Sequence, residues 1–295
     1  MDTLKEILDP NFLLRNSVYI SLLIGFGCPL VGVYLVLRRL VFMGVALPQV
    51  SSCGIAFAFA FHQWEFVPHF ETSEGQLAFA GASVFTLGAI ALLSWMEHRE
   101  RGGVEGRIGA AYVLAGAWSI LLLVKNPYGE HGLLDRLRGE IIAVADRDLV
   151  VTAVVFAVVA GALLLFHKEL MLVSYDREMA ITLGKKVVLW DGLLFLLIGL
   201  TISLAVLSVG PLVTFGFLIL PPLIARIFAR TMRQFAIYSS LLGGFCALAG
   251  FWIAYRFDYP VGPVDVALMG CIYGAVVGIR AIARPFQRAI KPQSL

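Results

Sequence analysis

Charge is scarce in this chain. Asp, Glu, Lys and Arg make up 15% of it, against about a quarter in soluble domains, and the run from Gly192 to Ala225 holds none of them. Net charge is +3, with no basic patch interleaved with aromatics, so nucleic acid is not an expected partner. The Gly-x4-Gly-Lys-Ser/Thr phosphate loop is missing, which removes the usual sign of an ATP site. No His-Glu-x-x-His helix and no Ser/His or paired-Asp constellation occurs in the apolar runs, so an intramembrane enzyme has no support. The four cysteines (Cys28, Cys53, Cys246, Cys271) lie far apart in apolar stretches. They show neither a disulfide framework nor metal spacing and read as small buried hydrophobes. No signal peptide is visible: Met1–Arg15 carries Asp2, Glu6 and Asp9, and the first apolar run has the length of a membrane span.

Long apolar runs are what the chain does have: 59% of its residues are hydrophobic and mean hydropathy is +0.86. A bilayer core is about 30 Å thick and needs only ~20 apolar residues to cross as a helix. The run from Gly192 to Ala225 is too long for one crossing, and Gly210-Pro211 interrupts it. It reads as two membrane helices joined by a tight turn. Charge-poor spans at 16–37, 40–61, 75–96, 108–124, 149–166, 192–209, 211–225, 234–255 and 262–279 predict an all-α membrane bundle with eight or nine crossings. Cys28-Pro29-Leu30-Val31 resembles Gly210-Pro211-Leu212-Val213, too little to establish an internal repeat.

Cytoplasmic loops carry an excess of Lys and Arg. Arg226, Arg230 and Arg233 are unopposed by acid, as are Arg280, Arg284, Arg288 and Lys291 after the last span. Both stretches are assigned inside. Counting back places 167–191, 97–107 and Arg38-Arg39 inside as well. The acidic loop 62–74 (Glu65, Glu71, Glu74) and the loop 125–148 fall outside. Nine crossings then put the N-terminus outside and the C-terminus inside. The whole of 1–295 reads as one membrane domain in a cytoplasmic membrane.

Three segments carry candidate chemistry. In the second span Pro48 cannot donate to the helix ladder and frees a carbonyl near Gly44. Such backbone is tolerated only where protein or a water-filled cavity covers it. Gln49, Ser52 and Cys53 follow at helical spacing and form one polar stripe. The stripe either lines a translocation path or packs helix on helix. In the loop 167–191, Ser174 is a candidate cap for a short helix with Asp176 and Glu178 in its first turn. Gly184 ends it, and Met179, Ala180 and Leu183 form an apolar face. A helix this short is not stable alone. It either docks into a partner's groove or lies on the membrane surface. Outside, His62, Glu65, His69 and Glu71 offer metal-ligand types without diagnostic spacing, and a solvated acidic loop is the favoured reading. Gly132–Asp148 has the makings of a surface helix. Asp265, beside Pro263 near the outer end of the last span, is either functional or a wetted, capping residue.

At these residues the chain resembles the permeases of the bacterial metal-ion ABC importers, which take up zinc, manganese or iron. Leu37-Arg38-Arg39-Leu40 runs into Met43-Gly44-x-Ala46-Leu47 and Gly54-Ile55-Ala56. Ser174-Tyr175-Asp176-Arg177-Glu178-Met179-Ala180 runs through Leu183-Gly184. Ser208-Val209-Gly210-Pro211-Leu212-Val213 precedes Leu220-Pro221-Pro222 and Ala225-Arg226, and Asp258-Tyr259-Pro260-Val261-Gly262-Pro263 completes the likeness. It covers roughly 16–280.

The resemblance implies a homodimer of permeases with a path at the interface, a cytoplasmic ABC ATPase beneath each, and an extracytoplasmic substrate-binding protein that delivers the ion. It implies no cofactor of the chain's own, ATP acting only through the partner. By resemblance Asp176–Gly184 is the coupling helix the ATPase grips, with Asp176, Arg177, Glu178, Met179 and Gly184 its principal residues. One departure stands out. After Gly44 the family usually has Asp, and four residues later His, both expected to touch the metal. Here Val45 and Gln49 stand in those places. Two other readings stay open: the same fold with a non-metal or unusual cargo, and a stand-alone secondary transporter or channel.

Overall fold

The computed structural model describes residues 14–62, 74–99, 104–124 and 146–290. The described chain is almost wholly helical, with no strand. Its helices are α1 (Arg15–Leu37), α2 (Val41–His62), α3 (Glu74–Arg99), α4 (Val104–Val124) and α5 (Asp146–Leu165). Two short helices follow, α6 (His167–Tyr175) and α7 (Arg177–Thr182), then α8 (Val187–Phe228), α9 (Met232–Phe257) and α10 (Val261–Ile290). Eight of the described helices are long and apolar enough to cross a membrane. The expected spans match them to within a few residues, except that the basic stretch from Arg280 continues α10 to Ile290 rather than leaving it as a tail.

The run expected to form two helices does so: α8, 42 residues from end to end, consists of two helical arms that meet at Gly210. Straight, it would be about 63 Å long, twice a bilayer core. It is not straight. Gly210 sits at φ 79°, ψ 169°, a backbone state essentially closed to residues with a Cβ. Pro211 then opens the second arm, where its missing N–H costs nothing, and Thr214 Oγ1 donates to the Gly210 carbonyl at 2.7 Å. Near the start of α8, Asp191 pairs with Arg38; near its end, Arg226 borders the same cavity as Arg38. Both ends therefore lie at one face of the bundle, and α8 folds back at Gly210. Eight helices thus supply nine apolar arms. The similar Cys28-Pro29 stretch stays helical inside α1, with Cys28 standing where the other stretch has Gly210.

Contacts sort the remaining ends into two faces. Asn16 donates to Asp146 at 2.7 Å, and Gly75 lies beside Asp148, so the starts of α1, α3 and α5 share one face. At the other, Arg38 bonds Ser174 and Asp191, and Arg280 donates to the Ile227 carbonyl. This second face gathers Arg38, Arg39, Arg226, Arg230 and Arg280, which marks it as cytoplasmic.

Between these faces the helices touch through small residues, because lipid offers no hydrophobic gain for association. A Cβ on Gly54 would run into the Gly81 carbonyl, and one on Gly81 into that of Gly54, so α2 and α3 meet backbone to backbone. The hydroxyls of Thr86, Thr201, Ser203, Ser208 and Ser239 each donate to the carbonyl four residues back, which satisfies them inside their own helix.

Candidate coupling loop and translocation seam

On the cytoplasmic face α6 and α7 meet at a corner made by Asp176 (φ −140°, ψ 91°). The sequence suggested Ser174 as the cap of the short helix. That assignment is corrected. Asp176 caps α7 itself, its Oδ1 accepting from the Met179 N–H at 2.9 Å. Ser174 belongs to the last turn of α6, where its hydroxyl donates to the Leu170 carbonyl at 2.6 Å and lies 3.0 Å from Arg38 Nε. An extended residue with a short acceptor side chain satisfies an orphan N–H of the first turn, and only Asp176 has that backbone. Gly184 (φ 70°) closes the other end as expected, with Lys185 N–H returning to the Ala180 carbonyl at 3.0 Å. This is the glycine-terminated end that relieves the last carbonyls.

The expected apolar face of α7 is divided. Ala180 is buried against Val173 and Val187 and seats the helix on the bundle. Met179, Ile181 and Leu183 point outward and are more than half exposed. Arg177, though 54% exposed, reaches back toward the bundle. Its Nη2 lies 3.4 Å from Asp191 Oδ2, while Asp191 Oδ1 takes Arg38 Nη1 at 2.7 Å. Arg38 and Asp191 are 12% and 15% exposed, so this pair is shielded, and Arg38 also lies over the Phe195 ring at 5.7 Å. One carboxylate therefore ties α7 and α8 to the turn that opens α2. The sequence showed Arg38 and Asp191 as separate charges at span ends. Their pairing depends on how the end of α1 packs against the start of α8 and had no local signal.

The structure separates the residues of the polar stripe. From Met43 to Ala56 every residue of α2 is buried except Val45 and Gln49, which are half-buried. The positions where the family usually has Asp and His thus lie on the open edge of this helix. Gln49 Nε2 sits against Gly116 of α4. Ser52 and Cys53 lie deeper in the seam between α2 and α4. The Ser52 and Ser119 hydroxyls are 3.3 Å apart, and Cys53 packs with Val50 and Ala115. Gly116 and Ser119 were not singled out from sequence, although they repeat the small-residue and hydroxyl types of the facing helix.

The wetted, capping reading of Asp265 does not hold: the residue is 0% exposed, and both carboxylate oxygens lack a hydrogen-bond partner. A notch at Gly250 of α9 receives it, where any Cβ would collide with Oδ1. Among the described residues no three His, Cys, Asp or Glu side chains come together as a metal-ligand set. Glu65, His69, Glu71, the side chain of His62 and most of Gly132–Asp148 fall outside those residues, so the outer-loop expectations do as well.

A doubled-back apolar bundle whose inner face presents a capped, outward-facing helix is the architecture of a transporter membrane subunit. The chain belongs to the ABC 3 transport family, whose model matches residues 11–279. It is a multi-pass protein of the cytoplasmic membrane. It is 27% identical over 278 residues to the manganese import system permease protein ScaB of Streptococcus gordonii, covering 94% of this chain and 95% of that one. It is 24% identical over 270 residues to the manganese transport system membrane protein MntC of Listeria monocytogenes, covering 92% and 91%. Among solved structures, PsaBC from Streptococcus pneumoniae, in complex with Fab, superposes with a TM-score of 0.79 at 25% identity, covering 93% of this chain and 94% of that one. A second ABC transporter, in an inward-facing conformation, superposes with a TM-score of 0.71 at 19% identity and shares the fold.

Proposed function

We propose that this permease imports a divalent metal ion, of the zinc, manganese or iron kind, under the drive of a separate ABC ATPase. The observation that carries the reading is α7: a helix too short to stand alone, seated by Ala180, turning Met179, Ile181 and Leu183 to the cytoplasm and linked through Arg177 and Asp191 to Arg38. The ATPase grips Asp176–Gly184, and its nucleotide cycle pushes on that handle. Arg177, Asp191 and Arg38 pass the displacement to α2. ATP acts only through this partner, and the chain holds no cofactor of its own.

In this reading two permeases pair, and the path runs along the open edge of α2. An extracytoplasmic binding protein delivers the cargo from the other face. Gln49 meets the cargo with a neutral carbonyl, while Ser52 and Cys53 become accessible when α4 separates from α2. Val45 and Gln49 also favour a second reading. Divalent ions of this kind prefer carboxylate or imidazole, and neither side chain provides one, so a cargo other than the bare ion fits the same fold.

Site-directed cross-linking tests the coupling. Met179→Cys is expected to cross-link to the ATPase subunit in membranes, with a yield that changes on adding nucleotide. Labelling of that cysteine from outside intact cells would refute the assignment.

A further inference from the structure

The cytoplasmic face holds a cavity of about 680 Å³ between the α1–α2 turn, the end of α6 and the α8–α9 turn. Arg38, Arg39, Arg226 and Arg230 all line it, and no acid does among the described residues. Arg38 uses Nη1 on Asp191 and leaves Nη2 buried with no partner. Arg39, Arg226 and Arg230 have no ion pair among the described residues. Arg39 moreover holds φ 60°, a left-handed state that glycine would occupy with less strain. The N-terminus of the 26-residue α9 opens at the same place behind its Thr231 cap and adds partial positive charge.

The opposite wall is apolar: Val36, Met232 and Phe235. Val36 and Phe235 lie inside membrane helices, one turn from the cytoplasmic ends. Phe235 itself packs against Val33 and Ala225; beyond it the neighbouring side of α9 exposes Tyr238 and Phe245 toward the bilayer. An occupant must therefore present concentrated negative charge at headgroup level and an apolar body below it. A cytoplasmic protein would have to reach into the membrane boundary to fill such a site. A basic pocket between helices on the cytoplasmic side suits an anionic headgroup, and guanidinium forks match phosphate.

We infer that this cavity binds the phosphate headgroup of an anionic phospholipid of the inner leaflet, with the acyl chains against α9. The lipid would brace the α1–α2 turn and the α8–α9 turn beside the coupling loop. The inference concerns the bilayer and does not depend on the cargo.

Native mass spectrometry of the purified full-length permease, exchanged into mixtures of phosphatidylglycerol or cardiolipin with phosphatidylcholine, tests it. The permease is expected to keep the anionic lipid through a delipidation that strips phosphatidylcholine. Arg226→Gln with Arg230→Gln is expected to lower that retention at least about tenfold, while Arg256→Gln, which removes a positive charge at the opposite end of α9, leaves it unchanged. Millimolar inorganic phosphate should not displace the lipid. Equal retention by the double variant, or no preference for anionic over zwitterionic lipid, would overturn the inference. Full displacement by phosphate would make this a simple anion site, and loss of lipid on adding the ATPase, with weaker ATPase binding by the double variant, would make it a protein interface. Either result also overturns it.

Discussion

Asp191 holds Arg38 on one carboxylate oxygen at 2.7 Å and meets Arg177 on the other at 3.4 Å. The two arginines differ in setting: Arg38 is 12% exposed and Arg177 54%. Removing one partner of a shielded pair leaves a charge without compensation, whereas an exposed pair contributes little. Asp191→Asn is expected to destabilise the permease by about 2–3 kcal/mol. Arg177→Gln is expected to cost under about 0.5 kcal/mol yet weaken the coupling of ATP hydrolysis to transport. Thermal unfolding in detergent reads the first effect, and the ratio of cargo moved to ATP hydrolysed in vesicles reads the second.

Gly210 is the hinge of the longest helix, and its backbone state excludes side chains. Gly210→Ala is expected to cost about 1–3 kcal/mol. Gly192→Ala, in the same helix with open space around it, is expected to be neutral or slightly stabilising. The fraction of monodisperse protein left after a heating series separates the two.

Asp265 and Gly250 make an opposed pair of predictions. A buried carboxyl with no partner carries a desolvation cost of about 1–3 kcal/mol. Asp265→Ala removes that group, so the permease is expected to keep or raise its melting temperature. Gly250→Ala forces a methyl into the space the carboxyl fills and is expected to lower stability by about 1–3 kcal/mol. Melting curves of the two variants, measured side by side, check both signs.

Gln49 stands on the open edge of α2, so its loss leaves little void. Gln49→Ala is expected to leave the melting temperature unchanged and to reduce uptake about fivefold, the value of one carbonyl contact near 1 kcal/mol. Uptake of zinc, manganese and iron by cells carrying the variant gives the measurement. Unchanged uptake of all three would remove Gln49 from the path.

Much of the fold was legible because lipid imposes a simple rule: apolar runs of span length must become helices. The turn at Gly210-Pro211 was legible for the same reason, since glycine and proline mark the one break in an uncharged run. The end of α7 at Gly184 was legible from its glycine. Its beginning was not, because Ser174 and Asp176 are both good caps and only the backbone decides between them. The Arg38–Asp191–Arg177 link was hidden because its members lie on three elements whose packing no local pattern reports. The wetted reading of Asp265 failed for a related reason: its depth depends on a notch in another helix, at Gly250, which no pattern around Pro263 reveals.

The most direct test of the account is cargo uptake by sealed vesicles that contain the permease, with and without its ATPase subunit. The account predicts accumulation only when the ATPase and ATP are both present on the face that carries Asp176–Gly184. Accumulation by the permease alone, driven by an ion gradient, would contradict it.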